Sequence, residues 1–140
     1  MSRIFWDSNL FIYLFENNPR HGQRVEELRR KMLQRRDRLL TSTLTIGEVL
    51  VKPSEKGDYA LCDLYQKILT NTALIIPFDQ NAARRYASIR SKTSVKGPDA
   101  IQLACASEAG VDLFVTNDHH LRGKQVDGIQ FIVSLDNVPI

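Results

Sequence analysis

Asp7, Glu48, Asp99 and Asp118 are the residues of this chain that could do chemistry together. Each falls where an apolar, strand-like run ends or a helix begins. If those runs are parallel strands of one sheet, their carboxyl ends share an edge, and acids far apart in sequence can meet there in a single cleft. Three or four carboxylates within a few ångströms raise one another's pKa values and cannot all stay ionised unaided. A divalent cation relieves the repulsion, and an all-oxygen ligand set favours Mg²⁺ or Mn²⁺ over zinc. Because Mg²⁺ keeps several waters and binds one or two carboxylates together with phosphate oxygens, a phosphate backbone is the matching substrate. Water bound to such a cation has a lowered pKa and can be held in line with a scissile P–O bond.

Taken one at a time, the four acids have structural explanations. Asp7 could cap a first helix, and Thr45-x-x-Glu48 matches a capping box. Asp99 follows Pro98 in a first helical turn, where a carboxylate gains roughly 0.3–1 kcal/mol from the helix dipole. Asp118 in Thr116-Asn117-Asp118-His119 suits a turn. Capping gives no reason, however, for all four to follow strands in the middle of a sheet. Asp79 is the control: it too follows an apolar run, and a strand at the sheet edge would leave it outside the cluster with a capping role.

The elements that must position these acids alternate as short apolar strands and amphipathic segments, the pattern of βαβ units with a helix-covered parallel sheet. Ile4–Trp6 reads as a first strand, and Leu10–Phe15 as a helix broken by Asn17-Asn18-Pro19. Val25, Leu28, Met32 and Leu33 recur at helical spacing, placing an apolar stripe opposite most of the arginines of a second helix. Arg38–Ser42 reads as a strand running into a brief helix over Thr43–Val51, stopped near Lys52-Pro53. Ser54–Asp58 is expected to be a loop. A helix over about Tyr59–Thr70, a strand over Ala73–Phe78 and a helix from Asp79 to about Lys92 follow. After the basic loop Ser94–Pro98, a helix runs over Asp99–Ala109 and is stopped by Gly110. Leu113–Thr116 and Ile129–Val133 are the last strands.

The 140 residues, 43% apolar, fit a single domain with one buried core over 1–140. The apolar runs are too short to cross a membrane, and charge within the first seven residues is unlike a secretory signal, which points to a cytoplasmic protein. Cys62 and Cys105 lack metal or redox spacing and read as buried thiols. The net charge of +3 is modest. The basic segment Arg24–Arg38 could attract a polyanion or simply form a solvated helix face. Among the cations, Lys92 and Lys96 flank the loop into Asp99 and Arg122 follows Asp118, so these three are the favoured phosphate contacts over Arg84, Arg85 and Arg90. His119 and His120 are expected to face solvent.

Asp7-Ser8-Asn9-Leu10, Thr45-Ile46-Gly47-Glu48-Val49, Pro98-Asp99-Ala100-Ile101-Gln102-Leu103-Ala104 and Thr116-Asn117-Asp118 resemble, in order and spacing, the four acidic motifs of PIN-domain ribonucleases. The resemblance spans residues 4 to about 133 and is greatest to VapC-type toxins of toxin-antitoxin pairs. It implies a three-layer α/β/α sandwich around a parallel sheet of order 3-2-1-4-5. It implies an Mg²⁺-dependent endoribonuclease that leaves 5′-phosphate and 3′-hydroxyl ends, with Asp7 and Asp99 as direct metal ligands and Glu48 and Asp118 completing the acidic pocket. Ser8, Asn9 and Thr116 would support that pocket, although such residues also favour caps and turns. A homodimer and a silencing antitoxin are the implied partners. A nuclease of RNA maturation and a non-catalytic RNA- or protein-binding module are the alternatives. A phosphatase reading lacks an Asp-x-Asp motif, because position 9 is Asn, and a receiver domain would want paired acids where only Asp7 stands.

Overall fold

The computed structural model describes residues 1–140. Five strands form one parallel sheet: β1 (Arg3–Trp6), β2 (Arg38–Ser42), β3 (Leu74–Ile76), β4 (Val111–Thr116) and β5 (Ile129–Ser134), in the spatial order β3-β2-β1-β4-β5. The expected strand order is the observed one. Around the sheet lie α1 (Ser8–Phe15), α2 (Gly22–Arg35), α3 (Thr43–Val49), α4 (Val51–Glu55), α5 (Tyr59–Thr72), α6 (Gln80–Lys92) and α7 (Pro98–Ala109).

Successive side chains on a strand point to opposite faces, and the three central strands use both faces for core. Ile4 and Trp6 of β1, Leu39 of β2, and Leu113 and Val115 of β4 join Leu10, Phe11, Val25, Leu28 and Met32 in one apolar layer. Phe5, Leu40 and Phe114 point the other way, against Ala82 and Ile89 of α6 and Ala100, Leu103 and Ala104 of α7. Phe5 and Phe114 are register partners whose rings stack at 5.1 Å. Each such fully buried side chain contributes roughly 1.5–3 kcal/mol, so the middle of the sheet is the rigid base of the molecule.

Three local expectations are corrected. Ser54–Asp58 is not wholly loop, since Val51–Glu55 forms the short helix α4. Pro53 does not end the helical path, because it is the third residue of α4, where its missing N–H would have no intrahelical partner. The break falls instead at Leu50, which joins α3 to α4. Leu33 leaves the apolar stripe of α2: Val25, Leu28 and Met32 are buried, whereas Leu33 is 60% exposed.

Gly128 is required by its surroundings. Its φ is +88°, and a Cβ there would run into the backbone carbonyl of Ser107 on α7. The same approach lets the Gly128 carbonyl accept from Val111 N–H at 2.9 Å, closing the start of β4 against the loop into β5.

Candidate active site

The carboxyl ends of β1 and β4 lie side by side, since Trp6 is registered with Val115. Asp7 and Thr116 are the next residues out. Asp7 N–H donates to the Val115 carbonyl at 3.0 Å, which carries the sheet pairing right up to the acid. Its carboxylate accepts from Ser8 N–H at Oδ1 (2.8 Å) and from the Thr116 hydroxyl at Oδ2 (2.8 Å). Thr116 Oγ1 in turn accepts from Asp118 N–H at 3.0 Å, which fixes the direction of the Thr116 proton toward Asp7. Each oxygen of Asp7 keeps a second lone pair for another ligand.

Asp7 is 5% exposed, and burial pushes its carboxyl up to about 6 despite the bonds from Thr116 and Ser8, with Glu48 and Asp118 adding repulsion. Asp99, the second residue of α7, is likewise raised to about 6. Burial is its largest cause, followed by a hydrogen bond with the Asp118 carboxyl and by the charges of Asp118, Asp7 and Glu48. The four acids named from the sequence therefore share one sheet edge, and without a cation Asp7 and Asp99 keep their protons up to about pH 6.

Glu48 reaches the group differently from the capping box that its motif suggests. The N-cap of α3 is Ser42, and Glu48 lies in the last turn of that helix. Its Oε1 accepts from the Ser8 hydroxyl at 2.8 Å, so Ser8 ties Glu48 to Asp7. Asp118 does cap, accepting from His120 N–H at 2.9 Å at a 3₁₀ turn over His119–Leu121. Asp79 behaves as the control expects. It follows edge strand β3, caps α6 through Ala82 N–H at 2.9 Å, and is not among the charges acting on Asp7 or Asp99.

A buried polar network behind the acids escapes the sequence reading. The Thr41 hydroxyl donates to the carbonyl of Trp6 (2.9 Å) and shares a 2.8 Å bond with the Thr45 hydroxyl. Gln102 Nε2 donates to Thr45 Oγ1 (2.8 Å), and the Ser42 hydroxyl donates to Gln102 Oε1 (2.5 Å). All four residues are buried, and together they join β1, β2, α3 and α7, the elements that carry Asp7, Glu48 and Asp99. The available signal was one amide inside the apolar run Ala100–Ala106.

No three His, Cys, Asp or Glu side chains are drawn together into a ready-made metal cage. Mg²⁺ does not need one, because it takes one or two carboxylates and completes its shell with water and phosphate oxygens. The donors are all oxygen, Asp99 and Asp118 lie within hydrogen-bonding reach, and Asn9 Oδ1, two residues after Asp7, is buried without a partner. This set fits a hydrated hard cation. Lys92, Lys96 and Arg122 are exposed and take part in none of the intramolecular ion pairs. His119 and His120 are exposed.

Residues 4–126 match the PIN domain family. The chain belongs to that family. Among solved structures it is similar to VapBC2 of Rickettsia felis bound to a DNA fragment from their promoter (TM-score 0.69, 16% identity, covering 94% of this chain and 97% of that one). It is also similar to a toxin-antitoxin complex from Klebsiella pneumoniae (0.65, 22%, 94% and 100%) and to DNA-bound VapBC from Salmonella typhimurium (0.68, 21%, 96% and 99%). At these identities the likeness shows a shared PIN fold. No curated protein matches the sequence.

Proposed function

We propose that the chain is an Mg²⁺-dependent endoribonuclease, Mn²⁺ serving as an alternative ion, and that it is the toxin of a toxin-antitoxin pair acting in the cytoplasm as a single unit over residues 1–140. The observation that carries the reading is the gathering of Asp7, Glu48, Asp99 and Asp118 at the carboxyl edge of a PIN-domain sheet, where burial and the neighbouring acids raise the Asp7 and Asp99 carboxyls. Structural metal-free proteins have little reason to keep four acids so placed.

In this reading Asp7 and Asp99 would hold the ion, with Glu48 and Asp118 completing the acidic pocket. The ion supplies a water of lowered pKa and neutralises charge on the phosphoryl oxygens. The chain's own groups do the rest. Thr116 and Ser8 N–H orient the Asp7 carboxylate, Ser8 Oγ holds Glu48, and Asn9 Oδ1 offers an acceptor to a bound water. Lys92, Lys96 and Arg122 take phosphates on either side of the scissile bond.

An apolar groove of about 380 Å³ opens beside Glu48, walled by Ile12, Phe15, Val49, Val51 and Tyr65. An antitoxin segment with an apolar face and a basic residue aimed at Glu48 would fill it, and the similar Klebsiella pneumoniae structure is itself a toxin-antitoxin complex. A homodimer is expected in solution.

The test is cleavage of a mixed single-stranded RNA by the purified chain with Mg²⁺, with excess EDTA, and as Asp99→Asn. Cleavage only in the first case supports the reading. Equal cleavage by Asp99→Asn or in EDTA overturns it.

A further inference from the structure

Between Asp79 and Asp99 the chain has five cations, Arg84, Arg85, Arg90, Lys92 and Lys96, and no acid. Most of these residues form α6 and the loop into α7. Arg85 is held by Glu108 at 3.1 Å, and Arg90 donates to the Tyr86 hydroxyl and lies over its ring. Arg84 and Lys92 have no partner, and they share one stripe of α6 with Ser88 at four-residue spacing. Over eight residues that stripe is roughly 12 Å long. It forms one wall of a groove of about 480 Å³ whose far wall is the segment Gln125–Asp127.

Two features connect the groove to the acidic cleft. Lys124 Nζ donates to Ser94 Oγ at 3.3 Å, clasping the segment after Asp118 to the loop before Asp99. Lys96 and Arg122 stand exposed in the same two loops. The groove also holds two acids, Asp127 in its far wall and Glu108, whose carboxylate is engaged by Arg85. Glu108 is in the last turn of α7, roughly 13 Å along the helix from Asp99, and the Asp127 carbonyl accepts from the Ser107 hydroxyl beside it. Lys92 could complement the α6 dipole at its C-terminus, but Arg84, in the first half of the helix, could not.

We infer that the α6 groove is a polyanion track, in which Lys92 beside the cleft and Arg84 farther along bind separate backbone phosphates of single-stranded RNA and guide the strand to the cleft. The inference rests on the nuclease reading and extends it to a second contact region. Because no aromatic side chain lines the groove and its unpaired cations are Arg84 and Lys92, it reads charge and not base identity.

The experiment measures binding of a fluorescein-labelled oligouridine by anisotropy across a KCl series in chelating buffer, so that divalent ions do not distort the salt slope. Single strands lose about 0.7 from that slope per phosphate contact, so Arg84→Ala/Lys92→Ala should flatten it by about 1.4. Arg24→Ala/Arg30→Ala on α2 removes the same charge elsewhere and should leave the slope as in the unaltered chain. In Mg²⁺ Arg84→Ala alone should raise KM for the long oligomer, leave kcat, and cleave a dinucleotide-length substrate as before, because Arg84 lies farther from the cleft than Lys92. An unchanged slope in the α6 variant, or equal flattening by the α2 variant, overturns the track and leaves the strip to an acidic partner protein or to general charge. A chain that cleaves RNA yet shows no α6 effect sinks only this inference; one that neither binds nor cleaves sinks the nuclease reading with it.

Discussion

Asp7→Asn should make the metal-free protein more stable at neutral pH while abolishing its proposed activity. Burial raises the Asp7 carboxyl from 3.8 to about 6. The site is almost fully buried, so the shift of about two pKa units translates with little solvent screening into about 3 kcal/mol. The sign follows from proton binding. Between about pH 4 and pH 6 the folded protein holds a proton at Asp7 that the unfolded chain has released, so stability falls as pH rises through this window. Below it the carboxyl is neutral in both states and costs nothing; above it the full penalty applies. Asparagine keeps the acceptor for Ser8 N–H, and its amide can donate to Thr116 Oγ1, which turns its proton elsewhere.

Thermal unfolding in chelating buffer from pH 4 to pH 8 reads this directly. For a chain of this size about 3 °C accompanies each kcal/mol, so the variant should melt roughly 6–9 °C higher at pH 8 and within about 2 °C of the unaltered protein at pH 4. Adding Mg²⁺ at a hundredfold its Kd should return about 2.7 kcal/mol to the unaltered protein and little to the variant, closing most of the gap. A variant that melts lower at pH 8, or a difference that does not change with pH, would refute the electrostatic account of the site.

Gln102→Leu leaves the Ser42 and Thr45 hydroxyls without their amide partner and should cost about 2–4 kcal/mol in urea unfolding, with kcat falling more than KM rises because α3 and α7 lose their common tether. Gly128→Ala should destabilise by more than about 2 kcal/mol, since its φ of +88° and the Ser107 carbonyl both oppose a Cβ. Gly47→Ala, inside α3 with nothing within 4 Å of the new methyl, should stabilise by roughly 0.5–1 kcal/mol in the same assay. Val51 is half exposed on the apolar groove, so Val51→Asp should leave melting and RNA cleavage nearly unchanged while weakening capture of the protein encoded by any adjoining short reading frame. Unaltered capture would remove the groove as the antitoxin seat.

Much of the architecture was legible because the central strands are apolar on both faces and α1, α5 and α6 each start at a capping Asp. Ile4–Trp6, Arg38–Ser42 and Leu113–Thr116 are found close to where their apolar runs place them, and Asp79 caps α6 at the sheet edge as argued. The misreadings share one cause, which is that local rules were applied where tertiary partners decide. Thr45-x-x-Glu48 has the letters of a capping box, yet Thr45 is inside α3, with its hydroxyl in the buried network and Glu48 drawn to Ser8. Gln102 could not be singled out because its partners Ser42 and Thr45 are nearly half the chain away in sequence. Pro53 looked like a stop because the restart of the helix at Val51 is invisible to a rule about the preceding residue.

The four acids also differ in what the fold itself does for their charge. Asp7 at the N-cap of α1 and Asp99 in the first turn of α7 face the positive ends of helix dipoles, and Asp118 accepts N–H bonds at the start of its own 3₁₀ turn. Capping and clustering are thus one arrangement, since the helix starts that make each acid look structural are what gather negative charge at the sheet edge. Glu48 is the exception, placed in the last turn of α3 where the dipole is unfavourable and held there by the Ser8 hydroxyl. A side chain kept at the wrong end of a helix, beside three other acids, is held in the metal-free fold by the single Ser8 bond. In the proposed reading, a cation in the cleft supplies the attraction that the helix end withholds.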